Sequence, residues 1–225
     1  MYKTGIFDLD GTLTDTVDSM AYSANLALHD LGYPSQPAER FKYFAGDGAD
    51  ELVRRCLRAS GDENCTGFEE MRRLYRDYFG RYCMYHVKPY EGIIHLLDTM
   101  KQQGMKIAVL SNKPHAQAID VVESVFGKEC FDYVQGQTES IPRKPDPAGV
   151  LHIVEHFHVQ KSECLYIGDT NTDMKTGKAA GIYTIGVLWG FRTREELEAN
   201  HADRIVEHPS EIEEMINMHL EEEYD

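Results

Sequence analysis

The stretch Asp8-Leu9-Asp10-Gly11-Thr12-Leu13-Thr14-Asp15 delivers two carboxylates, Asp8 and Asp10, directly after the apolar run Gly5-Ile6-Phe7. That run reads as a short buried strand, and Gly11 ends the extended segment. In an open parallel sheet, ligands bind at the carboxyl ends of strands, so acids there point to chemistry before packing. Three later stretches have the same character: Ser111-Asn112-Lys113 after Val109-Leu110, the loop Arg143-Lys144-Pro145, and Gly168-Asp169-Thr170-Asn171-Thr172-Asp173 after Leu165-Tyr166-Ile167. Adjacent strands would gather these ends at one edge.

Asp8, Asp10, Asp169 and Asp173 would then repel one another and raise one another's pKa values. A hard divalent cation resolves the conflict. Mg²⁺ prefers carboxylate and water oxygens and keeps positions open for a phosphate, so the set points to phosphoryl chemistry. A carboxylate is already ionised at neutral pH, and Asp8 can attack phosphorus without the base a serine needs. An aspartyl phosphate is the expected intermediate. Asp10 is placed to protonate the leaving oxygen and then to take a proton from the attacking water. Gly11, Thr12, Ser111, Asn112 and Lys113 are the candidate holders of the phosphoryl oxygens, and Lys144 adds positive charge beside the nucleophile.

These residues need an α/β frame. From Ile93 the pattern alternates: helix 93–103, strand 106–110, helix 114–126, strand 132–135, helix 147–157, strand 163–167, helix 172–180 and strand 182–187. Such alternation builds a Rossmann-like parallel sheet with helices on both faces. A polar helix at 193–199, a strand at Arg204–Val206 and a closing helix from Pro209 with apolar Ile212, Met215, Ile216 and Leu220 follow. The acidic run Glu221-Glu222-Glu223 reads as a solvated helix end. Residues 16–86 carry only helical patterns, so an all-helical cap is inserted into a core formed by 1–15 and 87–225. Hinges are expected at Thr14–Thr16 and Lys88–Glu91, and the aromatic stripe Phe68, Tyr75, Tyr78 and Tyr82 is expected in the cap interior.

The 225 residues carry 38 acids against 23 Lys and Arg, a net charge of −15, which argues against nucleic-acid or acidic-membrane partners. Five cysteines without a Cys-x-x-Cys pair fit a reduced, cytoplasmic protein, and no apolar run approaches membrane length. A small phosphorylated metabolite is the expected partner, with the chain itself a monomer or homodimer.

The motifs Asp8-x-Asp10-Gly-Thr-Leu-x-Asp, Ser111-Asn112, Lys144-Pro145 and Gly168-Asp169-x-x-x-Asp173, in this order, resemble the haloacid dehalogenase-like phosphatase superfamily. The resemblance implies Asp8 as nucleophile, Asp10 as acid/base, and Mg²⁺ held by Asp8, the Asp10 backbone carbonyl and Asp169, with Asp173 acting nearby through water or Lys144. Aspartate at position 10 implies phosphatase or phosphomutase chemistry, and the cap's position implies the branch of phosphoglycolate phosphatases, pyrophosphatases of this type and β-phosphoglucomutase. Gly46-Asp47-Gly48-Ala49-Asp50-Glu51-Leu52 and Ser111-Asn112-Lys113-Pro114 are most similar to the phosphoglycolate phosphatases. Inorganic pyrophosphatase, phosphomutase and a non-catalytic scaffold remain alternatives.

Substrate choice is expected in the cap, through the loop Gly46-Asp47-Gly48, whose glycines would let backbone amides approach an anion. Arg40, Lys42, Arg54 and Arg55 are candidate contacts to a substrate carboxylate, and His115 a candidate near the substrate. The bland alternatives are that Asp173 only caps the helix that follows it, and that Ser111-Asn112 caps the helix beginning near Pro114 as well as binding phosphate.

Overall fold

The computed structural model describes residues 1–221, with side chains through residue 218; the side chains of Leu220 and Glu221 and the rest of the acidic run, 222–223, lie outside that description. In chain order the elements are β1 (Thr4–Phe7), β2 (Thr14–Asp15), α1 (Val17–Asp30), a 3₁₀ turn (Ala38–Arg40), α2 (Phe41–Phe44), α3 (Ala49–Ala59), α4 (Phe68–Tyr82) and β3 (Lys88–Pro89). Then come α5 (Ile93–Gln102), β4 (Lys106–Pro114), α6 (His115–Phe126), β5 (Tyr133–Gln137), α7 (Ala148–His156), a second 3₁₀ turn (Lys161–Glu163) and β6 (Cys164–Gly168). The chain closes with α8 (Asn171–Ala180), β7 (Tyr183–Val187), α9 (Arg194–Ala199), β8 (Arg204–Val206) and α10 (Pro209–Glu221).

One parallel sheet has the order β5-β4-β1-β6-β7-β8. β1 lies between β4 and β6, with Phe7 level with Val109 and Ile167. The three strands that lead into chemical motifs are therefore the three central neighbours. The chain builds outward from β1 through β4 to β5, then returns to the other side at β6, which makes this point the switch where a crevice opens.

Successive side chains of a strand point to opposite faces. Phe7, Ile107, Val109, Leu165 and Ile167 accordingly pack against α5, α6 and α10, through Leu96, Leu97, Val121, Ile212 and Ile216. Ile6, Ala108, Leu110 and Tyr166 pack the other way, onto Val150 and Ile153 of α7 and Ala180 of α8. Both faces are covered, as all-parallel sheets require. The inserted helices α1–α4 have their own apolar cluster, including Leu28, Phe41, Val53, Leu57, Met71 and Tyr75, and Phe191 from the far end of the chain joins it.

Two features depart from the sequence pattern. β4 continues past Leu110 to Pro114, with a register shift against β5 between those residues, so Ser111-Asn112-Lys113 sits on an irregular strand extension rather than in a loop. The two chain crossings pair as an antiparallel ribbon, Thr14 with Pro89 and Asp15 with Lys88, a pairing too short to have a periodicity signal. Among the described residues no helix is long and apolar enough to cross a membrane.

Candidate active site

One chamber of ≈ 50 Å³ opens at the carboxyl ends of β1 and β4. Its core side is Asp8, Asp10, Ser111, Asn112, Lys113, Pro114 and Lys144, and its far wall comes from the inserted helices: Met20, Ala45, Gly46, Gly48, Ala49, Leu52, Tyr75 and Phe79. A single water needs about 10–15 Å³ on such a measure, so the room is that of a few waters or a compact anion.

Asp8 is buried, and Lys144 Nζ lies 2.7 Å from its Oδ1 and 2.7 Å from Asp173 Oδ1. Lys113 Nζ pairs with Asp10 Oδ1 at 2.9 Å and sits over the Phe79 ring. Asp169 is held rigidly: Thr12 Oγ1 donates to Oδ1 at 2.9 Å and the Phe191 N–H to Oδ2 at 2.8 Å. Asp173 accepts from Lys144 Nζ and Tyr166 Oη on Oδ1, and from the Thr170 N–H and hydroxyl on Oδ2. Asp173 is also the third residue of α8 in a reciprocal capping box in which Thr170 is the N-cap, so it serves the helix end as well as Lys144.

One oxygen each from Asp8, Asp169 and Asp173 lie within 4.8 Å of one another. Burial, and next Asp173, push the Asp8 carboxyl well above the usual range, despite Lys144. Burial and Asp173 likewise push Asp169 up to about 7. Lys144 responds oppositely: burial works to lower its pKa, but Asp173 and Asp8 outweigh it and hold the ammonium well above its ordinary value. Oxygen-only donors whose ionised forms are under-compensated fit a hard divalent cation such as Mg²⁺. Asp8 and Asp169 have lone pairs to offer; Asp173 has four protein donors already, which makes it the support of Lys144 rather than a strong ligand. The Asp10 carboxylate is not in this group, because it is turned to Lys113.

A pH-dependent metal effect follows. A folded-state pKa above the unfolded value contributes stability at low pH that is lost as pH rises through the folded pKa. For Asp169 that window runs from about 4 to about 7. Mg²⁺ should therefore raise the melting temperature by several degrees more at pH 8 than at pH 5. Differential scanning fluorimetry with and without Mg²⁺ measures this, and equal shifts at the two pH values would contradict the assignment.

Other sequence candidates go elsewhere. Gly11 has φ of +92°, and a Cβ there would overlap the Asp169 carboxylate, so its requirement is close packing. Thr12 spends its hydroxyl on Asp169, leaving only its backbone for an anion. Asp47 does not line the chamber: its carboxylate accepts from Thr172 Oγ1 at 2.7 Å and pairs with Arg55, and these bonds hold its pKa below the usual range against its burial. Asn112 uses its side chain structurally, accepting from the Lys144 N–H at 2.9 Å and donating to the Gly46 carbonyl at 3.1 Å. His115 Nδ1 accepts from the Gly136 N–H.

The four cationic candidates for a substrate carboxylate are corrected. Arg40 donates to Gln36, Arg54 lies over Phe68, Arg55 binds Asp47 and the Tyr43 and Phe44 carbonyls, and Lys42 is exposed; none lines the chamber. Charge without orientation had suggested them. The chamber's cations are Lys113 and Lys144, both from the core. Residues that the motif pattern did not single out are Tyr166, and Trp189 to Arg192, whose contacts reach Asp169 and, across more than a hundred residues of chain, Thr12 and the end of α2.

A family model described as haloacid dehalogenase-like hydrolase matches residues 5–187. The phosphoglycolate phosphatase of Vibrio parahaemolyticus is 29% identical over 214 residues, covering 93% of this chain and 94% of the relative. That of Aquifex aeolicus is 28% identical over 217 residues, covering 96% and 98%. A crystal structure from Lactobacillus delbrueckii subsp. bulgaricus superposes with a TM-score of 0.88 at 30% identity, over 96% of this chain and 98% of that one.

Proposed function

The chain belongs to the haloacid dehalogenase-like hydrolases, and from that premise we propose that it is a Mg²⁺-dependent phosphatase that cleaves a small phosphomonoester, phosphoglycolate or a close analogue, by way of phosphorylated Asp8. Its relatives support a phosphoric monoester hydrolase. The observation that carries the reading is the convergence of Asp8, Asp10, Ser111 and Lys144 on one chamber with the Asp8–Asp169–Asp173 group behind it.

Asp8 and Asp169, with the Asp10 backbone carbonyl, would hold Mg²⁺, which would supply charge neutralisation for the phosphoryl oxygens and for the buried acids. Lys144 keeps one Asp8 oxygen fixed at 2.7 Å. The Asp8 carboxylate then forms a bond to phosphorus as the ester oxygen leaves, and Asp10 gives that oxygen a proton. Asp10 next takes a proton from the incoming water, which breaks the Asp8–phosphorus bond and restores the carboxylate. Ser111 and the amides after Asp8 hold the phosphoryl oxygens. Lys113 fixes the Asp10 carboxylate between these two proton transfers.

The inserted helices choose the substrate in this reading, since they form the wall opposite Asp8. That wall is small and carries no charged side chain, which favours a short leaving group over a sugar ring and so favours hydrolase over mutase. A substrate carboxylate would face Lys113 and the opening turn of α3, where no side chain caps the N–H groups after Gly48.

Phosphate release from phosphoglycolate, pyrophosphate, β-glucose 1-phosphate and nucleotides, with Mg²⁺ and with chelator, tests the proposal. Phosphoglycolate should lead in kcat/KM by about tenfold or more, and chelator should abolish turnover. Turnover that survives metal removal would refute the mechanism, and pyrophosphate as the best substrate would refute the substrate.

A further inference from the structure

The segment Trp189–Arg192 touches both halves of the site. Trp189 Nε1 donates to the Thr12 carbonyl at 2.9 Å. A Cβ on Gly190 would overlap Gly11 and Asp169, so the backbone passes against the carboxylate group. The Phe191 N–H holds Asp169 Oδ2, while the Phe191 ring inserts into the apolar cluster of α1–α4. Arg192, 8% exposed, donates to the carbonyls of Lys42 and Ala45, the latter at 3.0 Å, and its guanidinium lies over the Tyr43 ring.

Those carbonyls belong to the last turn of α2 and its end, where four acceptors lack intrahelical partners. Ala45, Gly46 and Gly48, the next residues, form part of the chamber wall. Three more core donors hold the same loop: Asn112 to the Gly46 carbonyl, Arg143 to the Asp47 carbonyl and Thr172 to the Asp47 carboxylate. Arg143 and Thr172 adjoin Lys144 and Asp173, on the Asp8 side of the candidate cation site, whereas Arg192 is the one of these four whose chain neighbour, Phe191, binds Asp169.

We propose that Trp189–Arg192 is a strap that ties the seating of residues 45–48 over the chamber to Asp169, with Arg192 as the positioning residue that closes the chamber on small substrates. The activity arm of this inference rests on the phosphatase reading; the metal arm does not. Linkage makes the effect reciprocal: a cation that orders Asp169 favours the seated loop, and loss of the seated loop weakens the cation.

The chamber joins an outer cleft of ≈ 690 Å³ through the shared residues Ala49, Tyr75, Phe79 and Pro114. A long or aromatic leaving group must extend that way, since a benzene-sized ligand needs a cavity of about 150 Å³. It would therefore depend less on residues 45–48. Arg192→Met should lower kcat/KM for phosphoglycolate by about 100-fold, mostly in KM, and that for p-nitrophenyl phosphate by less than about fivefold. Arg192→Lys, which keeps the charge but reaches fewer carbonyls, should recover part of the loss and serves in its place if the Met variant does not fold.

Trp189 is the chain's one tryptophan, so its emission reports directly on the strap. Titrated with Mg²⁺ alone, Arg192→Met should show a midpoint about tenfold weaker than the unmodified protein, with Arg192→Lys between them. An unchanged midpoint, or equal losses on the two phosphomonoesters, overturns the proposal. If the unmodified protein hydrolyses neither ester, the phosphatase reading fails while the Mg²⁺ midpoint still decides the strap.

Discussion

Asp8→Asn should reduce phosphate release by about 10⁴-fold or more and at the same time raise the melting temperature of the metal-free protein. An amide oxygen is a poor nucleophile, and no neighbouring residue offers a second carboxylate at the same strand end facing the chamber in the same way. Asp10 lines the chamber but is paired with Lys113, and Asp169 is held by Thr12 and Phe191. The stability gain comes from the same burial that makes the site reactive. Burial and Asp173 push the Asp8 pKa up, which means that its charge is carried at a cost in the folded protein. The amide keeps the shape without that charge. At pH 8 in chelator the variant should melt a few degrees higher, since about 1 kcal/mol is worth 2–4 °C for a chain of this size. A phosphatase assay with a melt on the same preparation reads both effects. Retained activity would remove Asp8 from the mechanism, and a lowered melting temperature would show that its carboxylate is net stabilising.

Lys144→Met should act in the opposite sense on stability and in the same sense on activity. Lys144 sits between Asp8 and Asp173 at 2.7 Å from each, and all three are buried. Its removal leaves two carboxylates without their shared cation, a loss in the class of a broken buried ion pair, about 3–5 kcal/mol. The melting temperature should fall by about 10 °C. Activity should fall by about 10³-fold, because Asp8, the proposed nucleophile, loses its anchor and the transferring group loses a cation. Mg²⁺ should restore part of the stability and little of the activity. The double variant with Asp8→Asn separates these causes: with one carboxylate already neutral, the Lys144→Met penalty should shrink, and strict additivity would show that the two side chains are not coupled. Chemical denaturation of the four proteins measures the cycle.

Much of the site is legible in sequence because its chemistry is delivered locally. A strand of four residues aims whatever follows it at the sheet edge, so Asp8 with Asp10, Ser111 with Lys113, and Asp169 announce their direction by following apolar runs. The alternation after Ile93 is likewise local, and the helices and strands fall within a few residues of where the pattern places them. The reading weakens where orientation is set by contacts distant in the chain. Arg55 looks like a substrate contact by charge and Asp47 by its place between two glycines, yet they are bound to each other, and Thr172 completes the arrangement from 125 residues away.

The amino-acid sequence by itself therefore determined the reaction class: which residue types stand at which strand ends, and the helical segment inserted between the first strand and the rest. Only the tertiary structure decided that β4, β1 and β6 are neighbours, that Lys144 bridges Asp8 and Asp173, and that the wall opposite Asp8 is apolar. It also decided that Trp189–Arg192 runs from Asp169 to α2. The physical reason is range. Periodicity and strand-end placement are written within a few residues of backbone, whereas burial, pairing of charge and the direction of a long side chain depend on what the fold brings beside it. The opening acids are readable as two carboxylates delivered to one strand end; what holds them, and what closes over them, is not.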